Sequence, residues 1–101
     1  MSTRVAVELM PWVPRLIGRD EHKHAFLEYD CQAGETVRQL LTRMAGDYPR
    51  LGDMLLDRQK GELNFPIEVA VNGSVLGIHH TLDSELQSGD ALLLLPQYQG
   101  G

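Results

Sequence analysis

The sequence predicts an α+β domain in which a mixed sheet of about five strands packs on one main helix. Three observations support this prediction. Apolar residues alternate in the segments 4–10, 24–30 and 67–71, which is the period of a half-buried strand, and between residues 36 and 48 they recur at helical spacing. A length of 101 residues corresponds to one domain. The elements follow the order strand, strand, helix, strand, strand, strand, so that one helix connects two hairpin-like units.

The first two strands are predicted at residues 4–10 and 24–30. In the first segment Val5, Val7 and Leu9 fall on one face. The second segment alternates in the same way and separates two sets of side chains: Ala25, Leu27 and Tyr29 from His24, Phe26 and Glu28. Because the connection between the segments is short, we expect them to pair as an antiparallel hairpin.

The main helix has both a start signal and a stop signal. Thr36 and Gln39 have the spacing of a capping box, in which each side chain satisfies a backbone N–H at the helix start. Gly46 and Pro49 are expected to end the helix. The apolar stripe that this helix would bury consists of Val37, Leu40, Leu41, Met44 and Tyr48.

The segment after the helix combines a polar loop with a second hairpin. We expect a short extra helical turn around residues 51–56 and a polar loop over residues 57–62. Residues 67–71 alternate as a strand, and Asn72-Gly73 is a strong signal for a two-residue turn, since both positions of a type I′ turn need a positive φ. A short return strand is expected at residues 74–78.

The last strand, residues 91–95, is apolar on both faces. A strand of this kind is central in a sheet, covered on both sides or covered on one side and offered to a partner on the other. We expect it to pair in parallel with the first strand. Alternation leaves two assignments open, of which we assign Leu92 and Leu94 to the core and Leu93 and Leu95 to an apolar patch suited to docking.

Composition and charge argue against several classes of function. The net charge of −5 argues against nucleic-acid binding, which requires a basic face. The chain starts without the apolar segment of a signal peptide, and its apolar runs are too short to span a membrane, so we expect a cytoplasmic protein. Cys31 is the only cysteine and is interpreted as a half-buried structural residue. No metal site is expected, and the histidines are interpreted as solvent-exposed turn residues: His22, His24, His79 and His80.

Several short segments in a fixed order point to a family. They are residues 33–41, 48–49, 69–73 and 86–96, followed by the Gly-Gly end at residues 100–101. Together they resemble the ubiquitin-like sulfur carriers of the MoaD/ThiS family. This family includes the small subunit of molybdopterin synthase, the thiamine-pathway carrier and the cysteine-pathway carrier CysO. The resemblance implies a β-grasp domain over residues 1–96 and a flexible tail over residues 97–101.

The resemblance also implies a chemistry for the tail. A partner enzyme would use ATP to adenylate the carboxylate of Gly101, and a sulfur donor would convert it into a thiocarboxylate that donates sulfur in cofactor biosynthesis. Gly100 would keep the tail slim, because glycine has no Cβ. Gln97, Tyr98 and Gln99 would thread the partner's channel, and Leu93, Leu95 and Pro96 would contact the partner.

The implied protein is a substrate of other enzymes, or a non-catalytic subunit, and is not itself an enzyme. It would bind no cofactor, since ATP belongs to the adenylating enzyme. The expected partners are an E1-like adenylating enzyme and a sulfur acceptor, which is the molybdopterin synthase large subunit or a cysteine synthase; no nucleic acid or membrane is expected. Three alternatives stay open: a carrier for cysteine or thiamine biosynthesis, a ubiquitin-like modifier conjugated through Gly101, and a plain binding module.

Overall fold

The computed structural model describes residues 3–57, 59–64 and 67–96. Two helices and seven strands occur in this part of the chain. In chain order they are β1 (Thr3–Leu9), β2 (Ala25–Cys31), α1 (Val37–Asp47), α2 (Pro49–Leu55), β3 (Leu56–Asp57), β4 (Glu62–Leu63), β5 (Ile67–Val71), β6 (Ser74–Val75) and β7 (Ala91–Pro96). The predicted α+β class is therefore confirmed, with a second helix beside the expected one.

Five of the strands form one mixed sheet with the order β2-β1-β7-β5-β6. The first and last strands, β1 and β7, pair in parallel at its centre, as predicted. The other neighbours are antiparallel, including the expected β1–β2 hairpin. The sheet therefore places the first and last strands side by side, with Thr3 and Pro96 at opposite ends of this parallel pair.

The hydrophobic core lies between one face of this sheet and the two helices. From the sheet it takes every second residue of the central strands, which is the alternation seen in the sequence. From α1 it takes four residues of the predicted stripe, Val37, Leu40, Leu41 and Met44, whereas Tyr48 follows the helix and is half-buried. The largest fully buried side chains are Leu9, Leu40, Leu41, Met44, Leu51, Leu55, Ile67, Leu92, Leu94, Val5, Val7 and Val13.

Helix α1 begins with the predicted capping box. The N–H of Gln39 donates to Oγ1 of Thr36 at 3.2 Å, and the N–H of Thr36 donates to Oε1 of Gln39 at 2.9 Å. The helix ends at Asp47, between the two residues that were expected to end it. Pro49 then opens α2, where its fixed φ fits the first turn and its missing N–H needs no partner.

The β5–β6 hairpin turns as the sequence predicts. Asn72 and Gly73 have φ values of 51° and 86°, the two positive angles of a type I′ turn. The return strand is shorter than expected and ends at Val75. Gly77, with φ of 102°, turns the chain away, and its N–H donates to the carbonyl oxygen of His80 at 2.7 Å.

Two elements were not predicted. Within the predicted polar loop, β3 and β4 form a small antiparallel pair. Oδ1 of Asp57 accepts the N–H groups of Gln59 and Lys60 at 3.0 and 3.2 Å, which closes the turn between these strands. A 3-10 helix at Val13–Ile17 lies between β1 and β2 and buries Val13 in the core.

Candidate functional site

Strand β7 is held on both sides, so the point from which the tail continues has a fixed position. The strand pairs with β1 on one side and with β5 on the other. The register places Leu94 beside Leu9 and Pro96 opposite Ile67. The N–H of Met10 also donates to the carbonyl oxygen of Leu94 at 2.9 Å. The chain therefore leaves the sheet at the edge where β1 also ends.

Side chains tie the start of β7 to the β5–β6 turn. The amide nitrogen of Asn72 donates to Oδ1 of Asp90 at 3.0 Å, and Oδ1 of Asn72 accepts the N–H of Ala91 at 2.9 Å. Oδ2 of Asp90 accepts the N–H of Gln87 at 2.7 Å. Asn72 thus has two roles. It tolerates the positive φ of the turn, and its side chain holds Ala91, the first residue of β7, by a hydrogen bond.

The apolar residues of β7 divide between two environments. Leu92 and Leu94 are 1% and 0% exposed and belong to the core, which confirms their assignment from the sequence. Leu93, Leu95 and Pro96 are half-buried, and alternation places Leu93 and Leu95 on the side of the sheet opposite to Leu92, Leu94 and Pro96. Their predicted role in docking stays a prediction.

The side of the sheet that faces away from the helices is called the outer face here. The register places Glu8 of β1 beside Leu93, and Phe26 of β2 beside Glu8. Phe26 is 65% exposed, a large fraction for an aromatic side chain. The outer face is therefore partly apolar, and its described members on the four longer strands include Ala6, Glu8, Phe26, Glu28, Glu68, Leu93 and Leu95.

A histidine–carboxylate pair lies beside this apolar area. Nδ1 of His24 is 2.5 Å from Oε2 of Glu8, and the His24 ring stacks on the ring of Phe26 with 6.4 Å between centroids. The predicted exposure of His24 is confirmed, and the structure adds an acidic partner that the sequence did not indicate. The pair places a polar group next to Leu93.

The remaining histidines do not assemble a metal site within the described part of the chain. There, no group of three or more His, Cys, Asp or Glu side chains has the geometry to hold an ion. His22 and His79 are exposed, as predicted. The prediction that His80 is solvent-exposed was wrong, because this residue is half-buried. Its Nδ1 lacks a hydrogen-bond partner among the described residues.

Cys31 is buried rather than half-buried, with 1% of its surface exposed. Burial raises the pKa of its thiol, and the nearby Glu35 carboxylate acts in the same direction. Arg43, whose Nη2 is 3.7 Å from Sγ, opposes both effects. The thiol is therefore enclosed and protonated at neutral pH, which suits the structural role expected from the sequence.

The predicted reactive segment lies outside the described residues. This applies to Gln97, Tyr98, Gln99, Gly100 and Gly101. The geometry that bears on them is therefore that of Pro96 and the strand before it. Within the described residues, neither helix is long and apolar enough to cross a membrane.

Reasoning from the sequence placed His24 and Phe26 on one face of the second strand, but it did not connect them and Glu8 with the patch at Leu93. The signal was present in β2, where Phe26 falls among the polar positions, opposite Ala25 and Leu27. An aromatic residue on the polar side of a strand is a candidate for binding. Its neighbour Glu8 could be found only from the register of β1 and β2.

Comparison with known proteins agrees with this geometry. A model described as the ThiS family matches residues 25–101. No curated protein sequence matches the chain at a significant level. The family match includes β7 and continues through the Gly-Gly end.

Solved structures share the whole fold at low identity. Small archaeal modifier protein 1 from Methanosarcina acetivorans has a TM-score of 0.75 and 23% identity, covering 100% of this chain and 99% of that one. Small archaeal modifier protein 1 from Haloferax volcanii has a TM-score of 0.74 and 24% identity, with coverage of 97% and 99%. A putative molybdopterin converting factor subunit 1 from Pyrococcus furiosus has a TM-score of 0.72 and 22% identity, with coverage of 96% and 100%. The fold is thus the ubiquitin-like β-grasp.

Proposed function

The chain belongs to the ThiS family, and on that premise we propose that it is a sulfur carrier whose Gly101 carboxylate is adenylated and then converted into a thiocarboxylate. The observation that carries the proposal is that the family match extends through the tail to Gly101. The fixed root of this tail at Pro96 supports it, because a carrier must present its end at a defined place.

The tail residues have simple roles in this proposal. Residues 97–101 follow Pro96 directly and can reach at most about 17 Å when extended, enough to enter a narrow channel. Gly100 and Gly101 lack side chains and would pass the narrowest part. Gln97, Tyr98 and Gln99 would form hydrogen bonds along the channel.

The reaction proceeds by displacement at the carboxyl carbon of Gly101. A carboxylate is a poor electrophile, so a partner enzyme first joins it to the adenylyl group of ATP and releases pyrophosphate. Hydrogen sulfide then forms the new carbon–sulfur bond while the bond to AMP breaks, and a proton is released. The thiocarboxylate product is nucleophilic at sulfur and can pass that atom to an acceptor.

The outer face would dock the partner enzymes. Leu93, Leu95 and Pro96 lie next to the root of the tail, so a surface that covers them also brings the tail to the partner's active site. The proposed partners are an E1-like adenylating enzyme and a sulfur-accepting enzyme. For the second partner we propose the molybdopterin synthase large subunit, with a cysteine synthase or a thiamine-pathway enzyme as the alternative. ATP would bind to the adenylating enzyme, and this chain would act as substrate or non-catalytic subunit.

The proposal is tested by intact mass. The full chain is incubated with ATP, sulfide and an adenylating enzyme that is active on another carrier of the family. We expect a mass gain equal to the replacement of one oxygen by one sulfur. The gain should disappear in a chain that lacks Gly101. No gain in the full chain, with an enzyme shown to be active on its own carrier, would contradict the proposal.

A second candidate function uses the same tail. Two of the similar structures are named modifier proteins, which favours conjugation of Gly101 to lysine side chains of other proteins. Such conjugation would form an isopeptide bond after the same ATP-dependent activation. An ATP-dependent adduct of this chain on a protein lysine, found by peptide mass mapping, would support the modifier function.

A further inference from the structure

Strand β2 is an open edge of the five-stranded sheet. It is the terminal strand in the order β2-β1-β7-β5-β6, and within the described residues only β1 pairs with it. An open edge presents unpaired N–H and C=O groups that another strand can use. The question is which groups of β2 are available.

The hydrogen bonds of β1 answer this question. The N–H of Ala6 donates to the carbonyl oxygen of Asp90, and the carbonyl oxygen of Arg4 accepts the N–H of Gly89, at 3.1 and 3.0 Å. The even-numbered residues of β1 therefore direct their peptide groups away from β2. In an antiparallel pair their partners direct their own groups outward as well. These partners are Asp30, Glu28 and Phe26, opposite Arg4, Ala6 and Glu8.

The edge of β2 lacks most of the features that protect edges from pairing. The strand contains no Pro, Gly or Lys, and its seven residues pair one to one with β1 without a bulge. Its charged residues are Glu28 and Asp30. A regular edge of this length is suited to strand addition, in which main-chain hydrogen bonds hold an extended peptide.

One end of the edge is closed by Arg43 of α1. Its Nη2 donates to the carbonyl oxygen of Asp30 at 3.0 Å, and its Nε lies 3.0 Å from Oε2 of Glu35. The guanidinium also lies over the ring of Tyr29, with its carbon 5.5 Å from the ring centroid. The open groups are therefore those of Phe26 and Glu28, together with the N–H of Asp30.

We propose that β2 is a strand-addition site for an extended, basic segment of another protein. Residues of the added strand that lie on the outer face would be opposite Phe26, Glu28 and Asp30, and this favours an apolar residue opposite Phe26 and a cation opposite each carboxylate. Arg4 neutralises the two carboxylates only in part, since it makes contacts of 3.4 and 3.3 Å while 65% of its side chain is exposed. On the helix side, the alternate residues would cover the half-buried Leu27 and Tyr29.

Charge argues against a second copy of this chain as the occupant. A two-fold axis through Glu28 would place its carboxylate opposite that of the second copy, which is destabilising. Each copy also has a net charge of −5. The site is separate from the tail, so it can exist whether or not Gly101 carries sulfur.

The test uses a fluorescein-labelled peptide, acetyl-Lys-Val-Lys-Val-Leu-Val-amide, and anisotropy with the full chain. In antiparallel register its lysines face Asp30 and Glu28 and its leucine faces Phe26. We expect saturable binding that weakens with salt, and binding about tenfold weaker for the peptide with Glu in place of Lys. The double substitution Glu28→Lys and Asp30→Lys should reverse this preference.

Two further variants separate backbone pairing from charge. Glu28→Pro removes an N–H that faces away from β1, so the sheet should keep its ladder while the peptide loses about tenfold in affinity or more. The matched control Glu28→Ala keeps the N–H and should show a smaller loss of affinity for the peptide. A peptide N-methylated at alternate residues makes the same test on the unmodified protein, which covers the case that Glu28→Pro does not fold.

Amide hydrogen exchange gives a residue-specific readout. In the free protein we expect fast exchange at Phe26 and Glu28 and slow exchange at Leu27 and Tyr29. Saturation with the basic peptide should protect the first two and leave the others unchanged. A chain that lacks Gly100 and Gly101 should respond in the same way, which separates this proposal from that for the tail.

Three results would overturn the strand-addition site. The first is equal binding of the N-methylated and unmodified peptides. The second is protection of outer-face residues on β7 without protection of the Phe26 and Glu28 amides. The third is a dimer of the free protein in sedimentation that Glu28→Pro abolishes, since the edge would then be filled by a second copy.

Discussion

The two faces of strand β7 carry the same residue type in different environments. Leu92 and Leu94 lie under the helices and are almost completely inaccessible, whereas Leu93 and Leu95 are half-buried on the outer face. All four residues belong to one strand that is paired on both sides. The difference arises because successive side chains point to opposite sides of a sheet, of which only one side is covered here.

The two pairs of leucines therefore contribute to different properties: the covered pair to folding stability and the outer pair to the binding of a partner. A leucine on the covered face gains its full transfer free energy on folding. A leucine on the outer face is only partly buried on folding, so the rest of its transfer free energy is gained only when a partner covers it. We therefore expect substitutions on the two faces to act on different measurements.

The largest expected effect is that of Leu94→Ala. Leu94 is fully buried, so its removal leaves a cavity in the core, and such substitutions lower the free energy of unfolding by about 2–5 kcal/mol. Urea denaturation followed by circular dichroism measures the change. A loss below about 1 kcal/mol would indicate that the core relaxes around position 94 and would contradict the contrast between the faces.

Leu93→Ala tests the other face. We expect the free energy of unfolding to change by less than about 1 kcal/mol, because the side chain is only half-buried. Under the proposed function, the KM for adenylation should rise about tenfold, since the partner loses an apolar contact. Steady-state pyrophosphate release gives this value. An unchanged KM would place docking elsewhere than on the patch around Leu93.

A smaller effect is expected from Thr36→Ala, which weakens the helix that covers one face. Loss of the Thr36 hydroxyl leaves the N–H of Gln39 without its capping partner, and such substitutions lower the free energy of unfolding by about 1 kcal/mol. Thr36→Ser is the matched control, because it keeps the hydroxyl and should retain most of the stability. Thermal denaturation of the two variants measures the difference.

The smallest expected effect concerns pH. Burial, followed by the nearby Asp47 carboxylate, raises the pKa of Tyr29 to about 12. Between pH 10 and 12 the unfolded phenol ionises while the folded one resists, so stability falls as the pH rises through this range. The Tyr29→Phe variant has no phenolic hydroxyl, so its free energy of unfolding does not show this decrease. The stability advantage of the original chain over the variant should therefore shrink from pH 10 to 12. Urea titrations at several pH values measure this advantage. An advantage that stays constant from pH 10 to 12 would contradict the raised pKa.

Local signals in the sequence predicted most of the fold. The capping box of Thr36 and Gln39, the turn at Asn72-Gly73 and the alternation in β1 and β5 all depend on neighbours within a few positions. The parallel pairing of β1 and β7 followed from their apolar character and the order of the elements. These predictions succeeded because local preference and tertiary packing favour the same structure.

The features that were missed depend on distant contacts. The β3–β4 pair is too short to show a period, and it is stabilised by the turn at Asp57 and by a hydrogen bond from Arg38 to the carbonyl oxygen of Gly61. The contact between Glu8 of β1 and His24, the residue before β2, depends on the register of these two strands. The open edge of β2 follows from which strand lies beside it, and this is a property of the whole sheet.

The parallel pair at the centre of the sheet also affects synthesis of the protein. Because β1 precedes the other strands of the sheet and β7 follows them, the central pair can form only after all the strands between them have been synthesised. Closing such a long loop is entropically unfavourable until the core around Leu92 and Leu94 assembles. A prematurely terminated chain therefore lacks the middle of its sheet, and quality-control proteases would encounter it unfolded. Only a fully translated domain presents the root of the tail at its edge.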